Sequence, residues 1–66
     1  MTYDHETYEL ACIKKHETDN ALLIYDPVSD EELWLPWSQV DETHFNDKGE
    51  GTVVMTEWIA KKKGLL

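Results

Sequence analysis

Two stretches of the chain decide its fold: residues 33–40, LWLPWSQV, and residues 53–66, VVMTEWIAKKKGLL. The first is an apolar and aromatic run that reaches Pro36, which cannot donate to a sheet ladder and usually ends a strand. The second opens with β-branched residues, which favour a strand, and continues as a helical pattern. Together they hold all three tryptophans of a 66-residue chain. They therefore locate the hydrophobic core, and they identify no reaction.

The C-terminal helix carries the clearest signals. Thr56 is a good N-cap residue, and Glu57 places a negative charge in the first turn, where the helix dipole favours it. The lysines at 61–63 fall in the last turn, where cations are favoured. Gly64 suits the left-handed position that ends a helix, which lets Leu65 fold back onto Ile59 or Ala60.

Short apolar runs predict the strands. Alternation indicates a strand over residues 8–15, and continuous apolar residues indicate a buried strand over 21–25. Residues 31–36 form a third strand, paired with the second as a hairpin, and residues 52–55 form another. Residues 37–40 read as a single helical turn or a short strand. Residues 41–51 read as a polar, acidic loop pinned to the body by Phe45.

These elements predict one domain over residues 1–66, with residues 1–7 as a flexible lead-in. The fold class is mainly β: a small bent antiparallel sheet or an SH3-like or OB-like partial barrel, with one short C-terminal α-helix. A chain this short buries only about 60% of its unfolded surface, so a homodimer would help its stability. No sequence feature names a dimer interface. The residues expected to be buried are Leu22, Ile24, Leu33, Leu35, Val53, Trp58 and Ile59.

Trp34 and Trp37 fall on either side of Pro36, and a small core has no room for both. We expect Trp34 to be the more buried and Trp37 to be the more exposed, as part of a partner or self-association patch. The alternative is that Trp37 folds back as a lid over the core.

The charge is strongly negative and uneven. The chain carries 14 acidic residues against 6 lysines, for a net charge of −8, and 13 of the acids lie in residues 1–50. Such a surface repels phosphate backbones, so duplex nucleic acid is an improbable partner. The charge serves either solubility or docking onto a basic protein, in which case it imitates nucleic acid.

Residues able to support catalysis are scarce. Cys12 is alone, which excludes an intramolecular disulfide and a thiol pair for zinc, and it reads as a small buried hydrophobe. The three histidines lie in separate polar segments without metal-ligand spacing. No glycine loop for phosphate or nucleophile elbow is present. We therefore expect no enzyme activity, metal or cofactor. The absence of a signal peptide and of a long apolar run leads us to expect a cytoplasmic protein that does not enter a membrane.

Residues 21–66 resemble a family of short uncharacterised phage and prophage proteins. That family reads approximately W-[IL]-P-K-S-Q-[IV], followed by a terminal E-W-[FIL]-A-x-x-K-G-L, and this chain has Trp34-Leu35-Pro36-Trp37-Ser38-Gln39-Val40 and then Glu57-Trp58-Ile59-Ala60 with Lys63-Gly64-Leu65. Trp37 stands where the family pattern has a basic residue. The resemblance implies a phage origin, with the host cytoplasm as the site of action, and it implies no catalytic residues.

Two functions follow as expectations. The first is a non-enzymatic phage accessory protein that binds and modulates a host protein with a basic surface, as an anti-defence factor or nucleic-acid mimic. Its candidate partner-binding residues are Trp37, Asp30, Glu31, Glu32, Asp41 and Glu42. The alternative is a binder of a small ligand, a nucleotide or a single strand that uses an aromatic face. Its candidate stacking residues are Trp34, Trp37 and Tyr25.

Overall fold

The structure is a computed structural model that describes residues 6–66. Five strands, one 3-10 turn and one helix follow one another along the chain. They are β1 (Thr7–Glu17), β2 (Ala21–Asp26), β3 (Glu31–Pro36), the 3-10 turn Trp37–Gln39, β4 (Val40–Phe45), β5 (Glu50–Thr56) and α1 (Glu57–Lys62). Positions 1–5 of the predicted lead-in lie outside the described residues, and its last residue, Thr7, begins β1.

All five strands belong to one antiparallel sheet with the order β3-β2-β1-β5-β4. The mainly β class with one short C-terminal helix is therefore confirmed. The sheet is open and is not a closed barrel, because β3 and β4 form its two edges. The long central strand β1 pairs with β5 over its first part and with β2 over its second, and an irregularity between Lys14 and His16 bends it.

One face of the sheet, the inner face, carries the core. Its buried side chains alternate along the strands and are covered by α1 through Ile59 and Ala60. Leu22, Ile24, Leu35, Val53 and Ile59 are buried as predicted, whereas Leu33 is only half-buried. Among the residues that the structure describes, the buried hydrophobic core consists of Leu10, Cys12, Leu22, Ile24, Leu35, Val53, Met55, Ile59 and Ala60.

The prediction for Trp58 was wrong. Its side chain is 58% exposed, and Lys62 Nζ lies 5.2 Å from the centre of its ring. Since α1 has only six residues, it buries a single side, and that side is taken by Ile59 and Ala60. Trp58 consequently lies on the solvent side of the helix.

The order of burial predicted for the other two tryptophans was also wrong. Trp34 is 44% exposed, while Trp37 is half-buried against the core. The indole Nε1 of Trp37 donates to the Thr18 carbonyl at 2.9 Å, and its backbone N–H donates to the Asn20 carbonyl at 3.0 Å. The 3-10 turn after Pro36 produces this arrangement, so Trp37 is the lid that we considered as the alternative.

The acidic loop predicted for residues 41–51 is instead a hairpin of β4 and β5. Its turn is built by Asn46, whose Oδ1 accepts the N–H groups of Lys48 and Glu50, and by Gly49 at a φ of 81°. Phe45 packs against the core, as expected. Gly51 permits the close approach of the strands, because a Cβ there would lie 1.7 Å from the His44 carbonyl oxygen.

The ends of α1 are as predicted. Thr56 Oγ1 accepts the Ile59 N–H, which makes Thr56 the N-cap. Gly64 has a φ of 78°, its N–H donates to the Lys61 carbonyl, and the N–H of Leu65 donates to the Ala60 carbonyl at 2.8 Å. This pair of bonds is the Schellman motif, and it returns Leu65 to the core.

Candidate protein-binding face

The second face of the sheet, the outer face, has no helix over it within residues 6–66. Pairing and alternation place on it the residues that lie between core positions on each strand. Its apolar members run diagonally across the centre, and carboxylates stand around them. The outer face includes Glu9, Ala11, Ile13, His16, Ala21, Leu23, Tyr25, Glu32, Trp34, Pro36, Glu42, His44, Glu50, Thr52 and Val54, and the side chain of Lys15 reaches it at the Tyr25 ring.

Aromatic rings gather at one end of the outer face. Leu23 on β2 pairs with Trp34 on β3 and with His16 on β1. The rings of His16 and Trp34 meet edge to face, with centroids 6.4 Å apart. Because Leu23 lies between these two residues in the sheet, the rings cover its side chain. Leu23 is half-buried as a result, while Trp34 keeps 44% of its surface in water. An indole held in place and still exposed is a suitable anchor for a partner.

Carboxylates border this aromatic end. Glu32 pairs with Tyr25 across β3 and β2. The Tyr25 hydroxyl donates to Asp30 Oδ1, and this hydrogen bond is the main cause that raises the pKa of Tyr25 above its usual value. Lys15 Nζ lies 5.8 Å from the centre of the Tyr25 ring. Lys15 is on β1 and Glu32 is on β3, so they flank Tyr25 from opposite sides. Glu32 therefore lies on the same face of β3 as Trp34, two residues away, and Asp30 is held in the adjoining turn by Tyr25.

The acidic residues proposed from the sequence do not form one site. Asp30, Glu31 and Glu32 lie at the β3 edge, whereas Asp41 and Glu42 lie on β4 at the opposite edge of the sheet. All five are exposed. Glu42 Oε1 is 2.9 Å from His44 Nε2, so that carboxylate already has a partner. Of the group at the β3 edge, Glu32 lies on the same face as the exposed Trp34, two residues away along the strand.

The proposed stacking group is also divided. Tyr25 and Trp34 lie on the outer face of neighbouring strands, with Leu23 beside Trp34. Trp37 is separated from them, because it packs against the core on the other face. Two of the three proposed rings can thus contact one ligand, and the third supports the fold.

Sequence reasoning missed several outer-face residues, among them Ile13, His16 and Leu23. The run at 21–25 read as a wholly buried strand, because a continuous apolar run is typical of strands covered on both faces. Only its alternate residues Leu22 and Ile24 are fully buried. Lys14 and Lys15, directly after Ile13, were a signal that this region of β1 meets solvent.

A cleft of about 240 Å³ lies on the inner side, between the β2–β3 turn and the end of the chain. Asp26 lines it and is only 3% exposed. Its two carboxylate oxygens accept the Val28 N–H at 3.0 Å and the Ser29 hydroxyl at 2.9 Å. Asp26 therefore builds the turn, and its hydrogen bonds explain its burial without a ligand.

The chemistry available elsewhere is limited. Burial, followed by the nearby charge of Asp26, raises the pKa of Cys12 to about 11, so its thiol stays protonated at neutral pH and is a poor nucleophile. Residues 6–66 contain no group of three His, Cys, Asp or Glu side chains placed to hold a metal ion. In the same part of the chain, the single helix is too short to cross a bilayer.

Comparison of the chain with models of known protein families, with curated proteins and with solved structures found no match.

Proposed function

We propose that this protein is a non-enzymatic interaction protein, which binds a basic surface of another protein through the β2–β3 end of its outer face. The observation that carries the proposal is Trp34, a large side chain that is held by His16 and Leu23 and remains 44% exposed beside carboxylates. Tryptophan is enriched among the residues that contribute most to protein interfaces. Exposed apolar surface with a polar rim is typical of such sites.

The surrounding charge selects the partner. Asp30, Glu31 and Glu32 are exposed, and no Lys or Arg in the described part of the chain forms an ion pair with them. A partner with lysines and arginines would be attracted before contact and oriented on the β3 edge. The net charge of −8 extends this attraction over the whole molecule and disfavours acidic partners.

The biological setting rests on the resemblance to phage proteins given above. A phage protein of this size that binds a basic host protein, for example one that itself binds nucleic acid, can block that protein's usual contacts. Residues 41 and 42 are not part of this proposal, because they lie at the far edge of the sheet.

The test is a quantitative capture experiment from bacterial lysate with three forms of the protein: the natural chain, Trp34→Ala and Trp58→Ala. Trp58 is the matched control, since it is also an exposed tryptophan but lies on α1. We expect a basic protein that is retained by the natural chain and by Trp58→Ala and lost with Trp34→Ala. Its purified form should bind more slowly as salt rises, because screening acts within about 8–10 Å. Equal capture by all three forms would contradict the proposal.

A second candidate is supported by Tyr25 and Trp34, two rings on one face of adjacent strands. Base stacking on such rings is the usual contact in single-strand binding. The carboxylates beside them oppose a phosphate backbone. Titration with an oligothymidine ten nucleotides long, followed by tryptophan fluorescence, separates the two functions: quenching in the natural chain that is absent in Trp34→Ala would favour the single-strand binder.

A further inference from the structure

We propose that the partner adds an antiparallel strand to β3, as every neighbouring pair in the sheet is antiparallel, so that an extended basic segment becomes the sixth strand. This inference rests on the proposed function and specifies how the partner is held. Strand addition uses the backbone of an exposed sheet edge for affinity and alternate side chains for selectivity. Both kinds of contact are offered by the same residues of β3.

The backbone of β3 is satisfied on one side only. All six residues pair with β2, from Glu31 opposite Asp26 to Pro36 opposite Ala21, and no strand of the described chain lies on the other side. The Trp37 N–H donates to the Asn20 carbonyl, across from it in the same register. The direction of hydrogen bonding alternates along an antiparallel strand. The backbone N–H and C=O groups of Leu35 and Leu33 therefore also point toward β2.

Trp34 and Glu32 therefore direct their backbone N–H and C=O groups outward, into solvent. These two residues also place their side chains on the outer face. An incoming residue that pairs with either of them must place its own side chain on that face. The partner side chain opposite Glu32 meets a carboxylate, and the one opposite Trp34 meets an indole.

Charge complementarity identifies the side chains that fit. Arginine opposite Glu32 forms an ion pair, and arginine opposite Trp34 stacks on the indole. Residues between them lie on the inner side, next to Leu33 and Leu35, where apolar side chains are suited. The occupant is thus a segment that alternates basic and apolar residues.

The other edge of the sheet suits this role less well. β4 is interrupted by an irregularity between Val40 and Glu42, and irregularities of this kind obstruct strand pairing. The Glu42 carboxylate is already paired with His44. A second copy of this chain is disfavoured at β3, because each copy carries a net charge of −8 and three acids at the edge itself.

The experiment uses two synthetic peptides based on an eight-residue alternation of arginine and valine. One is N-methylated on two central arginines and the other on two central valines, so that the charge and the number of methyl groups are equal. In antiparallel strand addition the arginines lie opposite Glu32 and Trp34, so their N–H groups point at β3 and the valine N–H groups point away. We expect methylation at arginine to weaken binding to the full chain at least tenfold, and methylation at valine to change it less than twofold, as measured by calorimetry.

Two protein variants complete the test. Glu32→Lys should weaken binding of the unmethylated peptide at least tenfold, whereas Glu42→Lys on the far edge should leave it within twofold. Equal binding of the two methylated peptides would overturn strand addition, even if Trp34→Ala still abolishes capture of the basic protein in lysate. A concentration-dependent dimer of the protein alone, lost in Trp34→Ala, would also overturn it by identifying a second copy as the occupant.

Discussion

The inner and outer faces of the sheet use the same strands at alternate positions, yet they differ in how their apolar residues are held. On the inner face Leu22, Ile24 and Leu35 are fully buried in the cluster that includes Ile59 and Ala60 of α1, and Trp37 packs against that cluster. On the outer face Leu23 is covered only by two rings, one of which remains exposed itself. The difference shows that, among residues 6–66, the only helix covers one face of the sheet. The other face keeps apolar residues in reach of a partner.

The largest expected effect on stability comes from a comparison of two leucines, one on each face. Leu35→Ala, on the inner face, should lower the free energy of unfolding by about 2–5 kcal/mol, because a fully buried side chain leaves a cavity. Small domains are stable by only about 5–15 kcal/mol, so this loss is severe. Leu23→Ala should cost about 1 kcal/mol, since its side chain is partly wet in the natural protein. Urea unfolding followed by circular dichroism measures both, and equal losses would remove the distinction between the faces.

The next test compares two tryptophans. Trp37→Ala should cost about 2 kcal/mol, because it removes half-buried packing and the hydrogen bond to the Thr18 carbonyl. Trp58→Ala should stay within about 0.5 kcal/mol of the natural chain, as an exposed position does. Thermal unfolding of both variants checks the ranking. If Trp58→Ala were destabilised and Trp37→Ala were not, the ranking would be wrong and Trp58 would be a core residue.

The smallest expected effect is on the pH dependence of stability. The pKa of Cys12 rises from 9.0 to about 11 on the inner face, mainly through burial. As pH rises, the thiol loses its proton in the unfolded chain at a lower pH than in the folded protein, and this favours unfolding. The contribution of the protonated Cys12 to stability is therefore complete below pH 9 and is lost as pH rises toward 11. Cys12→Ala should therefore lose less stability between pH 8 and pH 10.5 than the natural chain does. Identical pH profiles in urea titrations would mean that the thiol is solvated in the folded state.

Much of the fold was predictable because its signals are local. The helix caps at Thr56 and Gly64 depend on neighbouring residues only, and both are confirmed. The hairpin of β2 and β3 is likewise marked by its own turn. The β4–β5 hairpin escaped prediction because β4 is mostly polar and exposed, so it lacks the alternation that identifies a strand.

The site was less predictable, because it depends on which face each residue takes. The sequence places Trp34 and Trp37 three residues apart, and the 3-10 turn at residue 37 sends the second ring to the core. No side-chain hydrogen bond caps that turn, and the hydrogen bonds that hold Trp37 are made to Thr18 and Asn20, which are distant in sequence. The acidic run at 30–32 was a visible signal, but the placement of Glu32 on the same face as Trp34 required the register of β2 and β3.

Asp30 belongs both to the β2–β3 turn and to the acidic group of the proposed interface, so stability and binding favour different residues at this position. It adopts a φ of 60°, a left-handed conformation in which asparagine and glycine are more comfortable than most residues. Its carboxylate accepts a hydrogen bond from the Tyr25 hydroxyl, and the amide oxygen of asparagine could accept the same bond. Asp30→Asn would thus keep the turn and delete the charge. A population evolved only for heat resistance should drift toward asparagine or glycine at this position, while one evolved for binding a basic partner should retain the aspartate.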